Sequence, residues 1–185
     1  MEFDKIRIKA CESVYEPRED SYLLAQEVEK YAFGKVLDLG TGTGIQGIVA
    51  AKKGCDVTFS DVSEKALECA KSNAKLNNVK GDFVASDMFS NIKGKFNTIL
   101  FNPPYLPSEE IKDIALDGGK DGRMYIDEFL HKYKDYLDDN YVVLLLESSF
   151  NNYEKDINEN ARVVASGHFF FEDIVVIMFS NNPRS

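Results

Sequence analysis

One stretch limits the possible folds of this chain more than any other: Val36-Leu37-Asp38-Leu39-Gly40-Thr41-Gly42-Thr43-Gly44. An apolar run of strand character passes directly into alternating glycines, and Ile45-Gln46-Gly47-Ile48-Val49-Ala50-Ala51 then reads as a helix. Glycines let the backbone turn tightly and approach a ligand, with the helix N–H groups behind them. Strand, glycine loop and helix in that order belong to a layered α/β sheet whose ligands sit beyond the carboxyl ends of the strands.

Gly42, Gly44 and Gly47 spell G-x-G-x-x-G, the spacing of a dinucleotide-binding loop, but that match alone is weak. Asp38 argues against it, because an ionised carboxylate inside the turn repels a pyrophosphate and attracts ammonium and sulfonium charges. The expected ligand is therefore cationic and free of phosphate, as S-adenosylmethionine is. The next strand, Asp56-Val57-Thr58-Phe59-Ser60, ends at Asp61, where an acid can take ribose hydroxyls. Asp61 also reads as the lead-in to a helix capped by Ser63. Asp87 follows Asp82-Phe83-Val84-Ala85-Ser86 and so falls at a third strand tip, where its carboxylate can accept from an adenine amine.

Thr98-Ile99-Leu100-Phe101 runs into Asn102-Pro103-Pro104-Tyr105. Two prolines cannot continue a central strand, since neither has a backbone N–H and each restricts the residue before it. The strand must stop at Asn102, leaving an amide, a stiff backbone and an aromatic face to converge on one planar group. An amide or an amino-base is the natural guest. The Asn102 side-chain oxygen and the Pro103 carbonyl could accept its two N–H bonds while Tyr105 forms a flat wall.

The remaining pattern predicts an α/β fold with a mixed seven-stranded sheet and helices on both faces. Strands are expected near 97–102, 141–147, 161–168 and 172–180, and helices near 123–138 and 150–158. Ile126, Phe129, Leu130, Tyr133 and Leu137 share a helical face and should pack on the sheet, as should Leu67, Ala70 and Ala74. The last two runs suit an antiparallel hairpin at one edge. With 185 residues, 44% of them apolar, one core suffices and no linker or repeat divides the chain. Residues 1–185 are thus read as one domain, with 1–33 as an extension packed on it.

Cys11, Cys55 and Cys69 are odd in number and widely spaced, so they suggest neither a disulfide framework nor, with only His131 and His168, a zinc pattern. They are expected to be small core residues, and no metal is expected. No apolar run approaches the ~20 residues that span a bilayer, and Met1–Lys5 does not open a leader. A cytoplasmic protein is expected. The net charge of −9 disfavours tight sequence-independent binding to nucleic acid.

Val14-Tyr15-Glu16-Pro17-Arg18-Glu19-Asp20-Ser21, the Asp38 to Gly44 loop, Asp61, Asp87 and the Asn102 to Tyr105 tetrapeptide together resemble the HemK-type release-factor glutamine methyltransferases. The glycine loop begins by residue 40, which leaves no room before it for the helical domain of the bacterial members, so the resemblance is to the archaeal and eukaryotic branch. It implies a class I S-adenosylmethionine-dependent methyltransferase acting on the glutamine of the Gly-Gly-Gln loop in a class-one translation release factor. It implies that Ser21 contacts the methionine end of the cofactor, Asp38 and Gly40 its amino-acid portion, Asp61 the ribose, and Asp87 with the Met88 backbone the adenine. Asn102 then serves cofactor and substrate together, with Pro103 and Tyr105 beside it. Ser21 reads equally as an early-turn helix residue. Gly118-Gly119-Lys120-Asp121-Gly122-Arg123 resembles the family's glycine turn, and reads equally as a flexible helix opening.

The resemblance also implies a small zinc-containing adaptor, expected on the strand near 82–86. The loop from Leu106 to Asp121, with Glu109, Glu110 and Asp113, suits a basic protein surface or simply solvent. Methylation of the adenine amine in DNA or RNA, methylation of a protein lysine, and a non-catalytic cofactor scaffold are the competing readings.

Overall fold

The computed structural model describes residues 6–113, 115–169 and 171–181. Residues 1–5, on which the absence of a leader was read, lie outside them. The chain runs α1 (Glu19–Tyr31), β1 (Lys35–Leu39), α2 (Ile45–Lys52), β2 (Asp56–Asp61), α3 (Glu64–Leu76), β3 (Asp82–Ala85) and β4 (Phe96–Phe101). Then follow α4 (Met124–Lys132), β5 (Leu137–Ser148), β6 (Ala161–Phe169) and β7 (Glu172–Ser180).

The seven strands lie in the order β3-β2-β1-β4-β5-β7-β6. The first five are parallel, and β7 runs antiparallel to both β5 and β6. Strand order reverses between β1 and β4, and this switch point opens a crevice beyond the strand tips. The register puts Leu39 opposite both Ser60 and Phe101, and Asp61 opposite Ala85. The ends of four strands therefore meet at one edge.

Both faces of the sheet are covered, which explains the unbroken apolar runs. In β5, Leu144 and Leu146 pack with Leu24, Val28, Ile48 and Ala70 on one face, while Val143 and Leu145 pack with Ile126 and Phe129 on the other. The alternation is that of a strand with two buried faces. Helices α1, α2 and α3 cover the first face and α4 the second. Leu67, Ala70 and Ala74 are buried as expected, and so are Ile126, Phe129 and Tyr133.

The expected helix near 123–138 ends sooner: α4 stops at Lys132, Tyr133–Tyr136 forms one 3-10 turn, and Leu137 already belongs to β5. The expected helix near 150–158 is replaced by two 3-10 turns, Ser149–Asn151 and Tyr153–Asp156. Between them Asn152 takes a left-handed conformation, φ 54°, which a helix cannot carry, and the Ser148 and Asn151 side chains cap the first turn reciprocally.

The reading of the cysteines is corrected more sharply, since Cys11 and Cys69 form a disulfide across 58 residues of sequence and only Cys55 is free. The segment before α1 lies along α3. The Arg7 N–H donates to Asn77 Oδ1 (2.9 Å), the Asn77 amide donates back to the Arg7 carbonyl (2.7 Å), and Asn73 repeats this double bond with Lys9 (3.0 and 3.1 Å). Each two residues of extended strap, about 6.6 Å, match four residues of helix, about 6 Å. The series 7 with 77 and 9 with 73 then brings residue 11 to residue 69.

Candidate active site

Asp38 lies one residue before the end of β1 and is 2% exposed. Its Oδ2 accepts from the Thr41 hydroxyl (2.5 Å) and from the Gly47 N–H (2.8 Å). Gly47 is obligatory for a reason other than phosphate binding: a Cβ there would stand 2.3 Å from the Phe59 ring and 2.9 Å from Asp38 Oδ2. The third glycine of the motif thus lets α2 close on the carboxylate. Burial pushes the Asp38 carboxyl up to about 7 against the effect of those two hydrogen bonds, and nearby Asp61 adds to the rise.

Gly40, Gly42 and Gly44 all have left-handed backbone, with φ of 61°, 54° and 86°. A Cβ on Gly42 would meet nothing within 4 Å, so the turn leaves free space beside it. Asp61 Oδ2 accepts from the Gly42 N–H (3.0 Å) and Oδ1 from the Ser63 N–H (2.9 Å), while Ser63 Oγ caps α3 by accepting from Ala66. The acid thus leads into the helix capped by Ser63, as one reading of the sequence has it, while facing the same cleft as the glycine turn. Burial raises its carboxyl as well.

Beyond β3, Met88 takes a left-handed φ of 44°. Ser86 holds this bend, its hydroxyl donating to the Met88 carbonyl (2.9 Å) and accepting from the Asn91 N–H (2.9 Å). Ser21 is buried; its hydroxyl donates to Asp20 Oδ1 (3.2 Å) and its carbonyl accepts from the Gln46 amide (2.9 Å).

Ser21, Asp38, Gly40, Asp61, Asp87, Met88 and Asn102 all line one cleft at the switch point. A second cleft is lined by Pro103 and Tyr105, and shares Tyr15, Asn102, Asp113 and Ala115 with the first. The predicted cofactor residues and the tetrapeptide thus fall into two sets that both include Asn102.

The Asn102 amide nitrogen donates to Asp20 Oδ2 (3.0 Å). Asp20 is 3% exposed, and its Oδ1 accepts from the Tyr15 hydroxyl (3.1 Å) and from Ser21. Burial, reinforced by Asp20, pushes the Tyr15 hydroxyl well above its ordinary range and keeps it a donor. With its nitrogen committed to Asp20, the Asn102 amide must present its oxygen elsewhere. That oxygen is buried and has no hydrogen-bond partner among the described residues. A buried acceptor without a donor carries a desolvation cost of about 1–3 kcal/mol, which an incoming N–H would relieve.

The loop is braced from behind. Asn151 donates to the carbonyls of Tyr105 (2.8 Å) and Gly122 (3.3 Å). Gly122, at φ 71°, packs so closely that a Cβ would lie 2.1 Å from the Tyr105 oxygen. Arg123 is buried among Glu147 (3.1 Å), Asp156 (2.9 Å), Asp127 (2.7 Å) and the Asn151 carbonyl (2.8 Å). The glycine turn before α4 is therefore the support of the tetrapeptide. Tyr15, Asp20 and Arg123 stand in the quoted motifs with no local sign of these contacts, and Asn151 stands outside every motif. The clue was the buried acid in Glu19-Asp20-Ser21, but its partner lies 82 residues away.

A mixed seven-stranded sheet with a reversed strand, a glycine turn under a buried acid and acids at the tips of the next two strands define a class I S-adenosylmethionine-dependent methyltransferase. The cleft suits that cofactor, because the carboxyl groups of Asp38 and Asp61 line it and no basic side chain does so among the described residues. The profile described as "Methyltransferase small domain" matches residues 13–166, and the chain belongs to that family.

Over 190 residues it is 40% identical to a protein of Methanocaldococcus jannaschii provisionally named a protein N5-glutamine methyltransferase, covering 96% of each chain. It is 33% identical over 138 residues to the release factor glutamine methyltransferase of Deinococcus radiodurans, covering 66% of this chain and 50% of that one. This chain thus matches half the length of the bacterial enzyme. Among solved structures, a methyltransferase from Pyrococcus furiosus superimposes with a TM-score of 0.71 at 21% identity, over 94% of this chain and 88% of that one.

Proposed function

We propose that this enzyme methylates the side-chain amide nitrogen of a glutamine in another protein, and that its substrate is the Gly-Gly-Gln loop of a class-one translation release factor. The observation that carries the reading is the Asn102 amide, held by Asp20 with its oxygen buried and free to accept. An amide nitrogen is a poor nucleophile, since its lone pair is delocalised into the carbonyl. Accepting one N–H at Asn102 Oδ1 and the other at the Pro103 carbonyl fixes the nitrogen and favours its pyramidalisation. Such positioning supplies several kcal/mol, roughly.

When bound, S-adenosylmethionine supplies a methyl group on positively charged sulfur. Asp38 would hold the cationic amino group, Asp61 the ribose hydroxyls, Asp87 and the Met88 backbone the adenine, and Ser21 and Gly40 would meet the amino-acid end, all of these residues lining the one cleft. Tyr105 walls the acceptor amide. Transfer would form the N–CH₃ bond as the S–CH₃ bond breaks, and the amide's released N–H proton would pass to solvent water.

The reading extends to a small zinc-containing adaptor and to work in the cytoplasm. Among the described residues β3 pairs with β2 alone, and the edge this leaves supports the adaptor. No helix among the described residues is long and apolar enough to cross a membrane.

Labelled S-adenosylmethionine offered with a release factor, with the same factor carrying asparagine for the Gly-Gly-Gln glutamine, and with a DNA duplex tests the reading, each with and without adaptor. Label on the first alone is expected. Label on DNA would establish an amino-base acceptor, and label on both factors would move the site to a side chain such as lysine.

A further inference from the structure

The second cleft lies between the tetrapeptide and the C-terminal hairpin. Pro103, Tyr105 and Leu106 form one side, and Phe169, Glu172 and Ile174, from the end of β6 and the start of β7, form another. It meets the cofactor cleft at Asn102, so a group reaching the orphaned Asn102 oxygen through it passes between the loop and the hairpin. Its charged lining is Arg18 against Glu19, Asp20, Asp113 and Glu172, and Asp20 is already committed to Tyr15 and Asn102. An acceptor with basic residues beside its target fits that balance.

Outside the cleft the hairpin turn carries Phe171, whose side chain is 92% exposed. The turn after β5 is tied to the same hairpin, with the Ser148 hydroxyl donating to Glu172 (2.6 Å) and the Asp173 N–H to Ser149 Oγ (3.1 Å). That turn displays Phe150, 48% exposed. Two exposed phenylalanines thus stand on segments tied to Glu172, which lines the cleft that must receive a macromolecular substrate. Exposed aromatics at such a margin are the residues that anchor protein interfaces.

We propose that the β6–β7 hairpin docks the folded acceptor protein, Phe171 and Phe150 gripping its surface while Phe169 and Glu172 read the residues beside the target glutamine. The proposal rests on the glutamine reading above. It gives the enzyme two contributions to substrate choice: a short-range one inside the cleft, felt by any peptide, and a long-range one outside it, felt only by the folded partner.

Steady-state kinetics with folded release factor and with a short peptide containing its Gly-Gly-Gln sequence separate the two. Phe171→Ser is expected to raise KM for the folded factor about tenfold, leaving kcat, peptide KM and cofactor affinity unchanged, with Phe171→Tyr restoring KM. Phe169→Ala is expected to raise KM for both acceptors. Because Phe171 is exposed, the variant should melt like the parent. An active parent whose KM for the folded factor is indifferent to Phe171→Ser overturns the docking proposal alone. A parent that methylates neither acceptor, while binding cofactor, overturns the glutamine reading and the docking proposal with it.

Discussion

Asn102 can present an acceptor only if its amide is prevented from turning over, and Asp20 supplies that restraint. Asparagine at position 20 would both donate and accept, so Asn102 could point either end at the substrate. Asp20→Asn should therefore lower kcat about 10- to 100-fold with little change in cofactor affinity by calorimetry. Unchanged kcat would remove Asp20 from the reaction. Asn102→Ala should lower turnover further, about 100-fold or more, because no oxygen remains to accept the amide proton. Asn102 could be picked out in the sequence because two prolines and an aromatic follow it and fix its place at a strand tip. Asp20 could not, since an acid in the first turn of a helix is ordinary and the contact spans 82 residues. The orphaned oxygen is a tertiary property with no local trace.

At the scale of elements, the strands were readable as apolar runs that stop at glycine, proline or acid, and α3 by its helical period. The C-terminal part of the α4 region and the segment after β5 were misread where side-chain caps and a left-handed asparagine compete with helix, which periodicity does not register. The strap before α1 was the hardest, although its pattern exists: Cys69, Asn73 and Asn77 recur every fourth residue on one face of α3, opposite alternate residues 7, 9 and 11. Asn73 also donates to the Thr43 carbonyl, so one side chain joins the strap to the glycine loop. Ser13, Val14 and Tyr15, just beyond Cys11, line the cofactor cleft. Reduction, or Cys11→Ser, should lower unfolding free energy by up to about 4 kcal/mol from loop entropy. It should also weaken cofactor binding severalfold by loosening that wall. Calorimetric titration beside thermal melts, with and without reductant, checks both. A lower Tm with unchanged affinity would make the disulfide a staple remote from the cleft.

Over the whole molecule, the sheet order gathers acids from several strands at one edge, and this has a consequence for stability against pH. Burial raises Asp38 from the usual carboxylate range near 3.8 to about 7. In the unfolded chain the same group titrates near 3.9, roughly. Between those values the folded protein holds a proton that the unfolded chain releases. Asp38 therefore favours the fold most below the unfolded value, and this contribution falls away as pH rises through 7. A cationic amino group beside the carboxylate reverses the balance by favouring the ionised form, so binding should release a proton near neutrality. The rise in Tm on adding S-adenosylmethionine should accordingly be larger at pH 8 than at pH 5.5, with affinity weakening up to about tenfold per unit below 7. Asp61, raised by burial too, contributes in the same direction. Asp38→Asn separates the two: it should weaken binding at pH 8 and flatten most of the dependence. A cofactor-induced Tm shift that is equal at both pH values in the parent would show that Asp38 does not hold the cation.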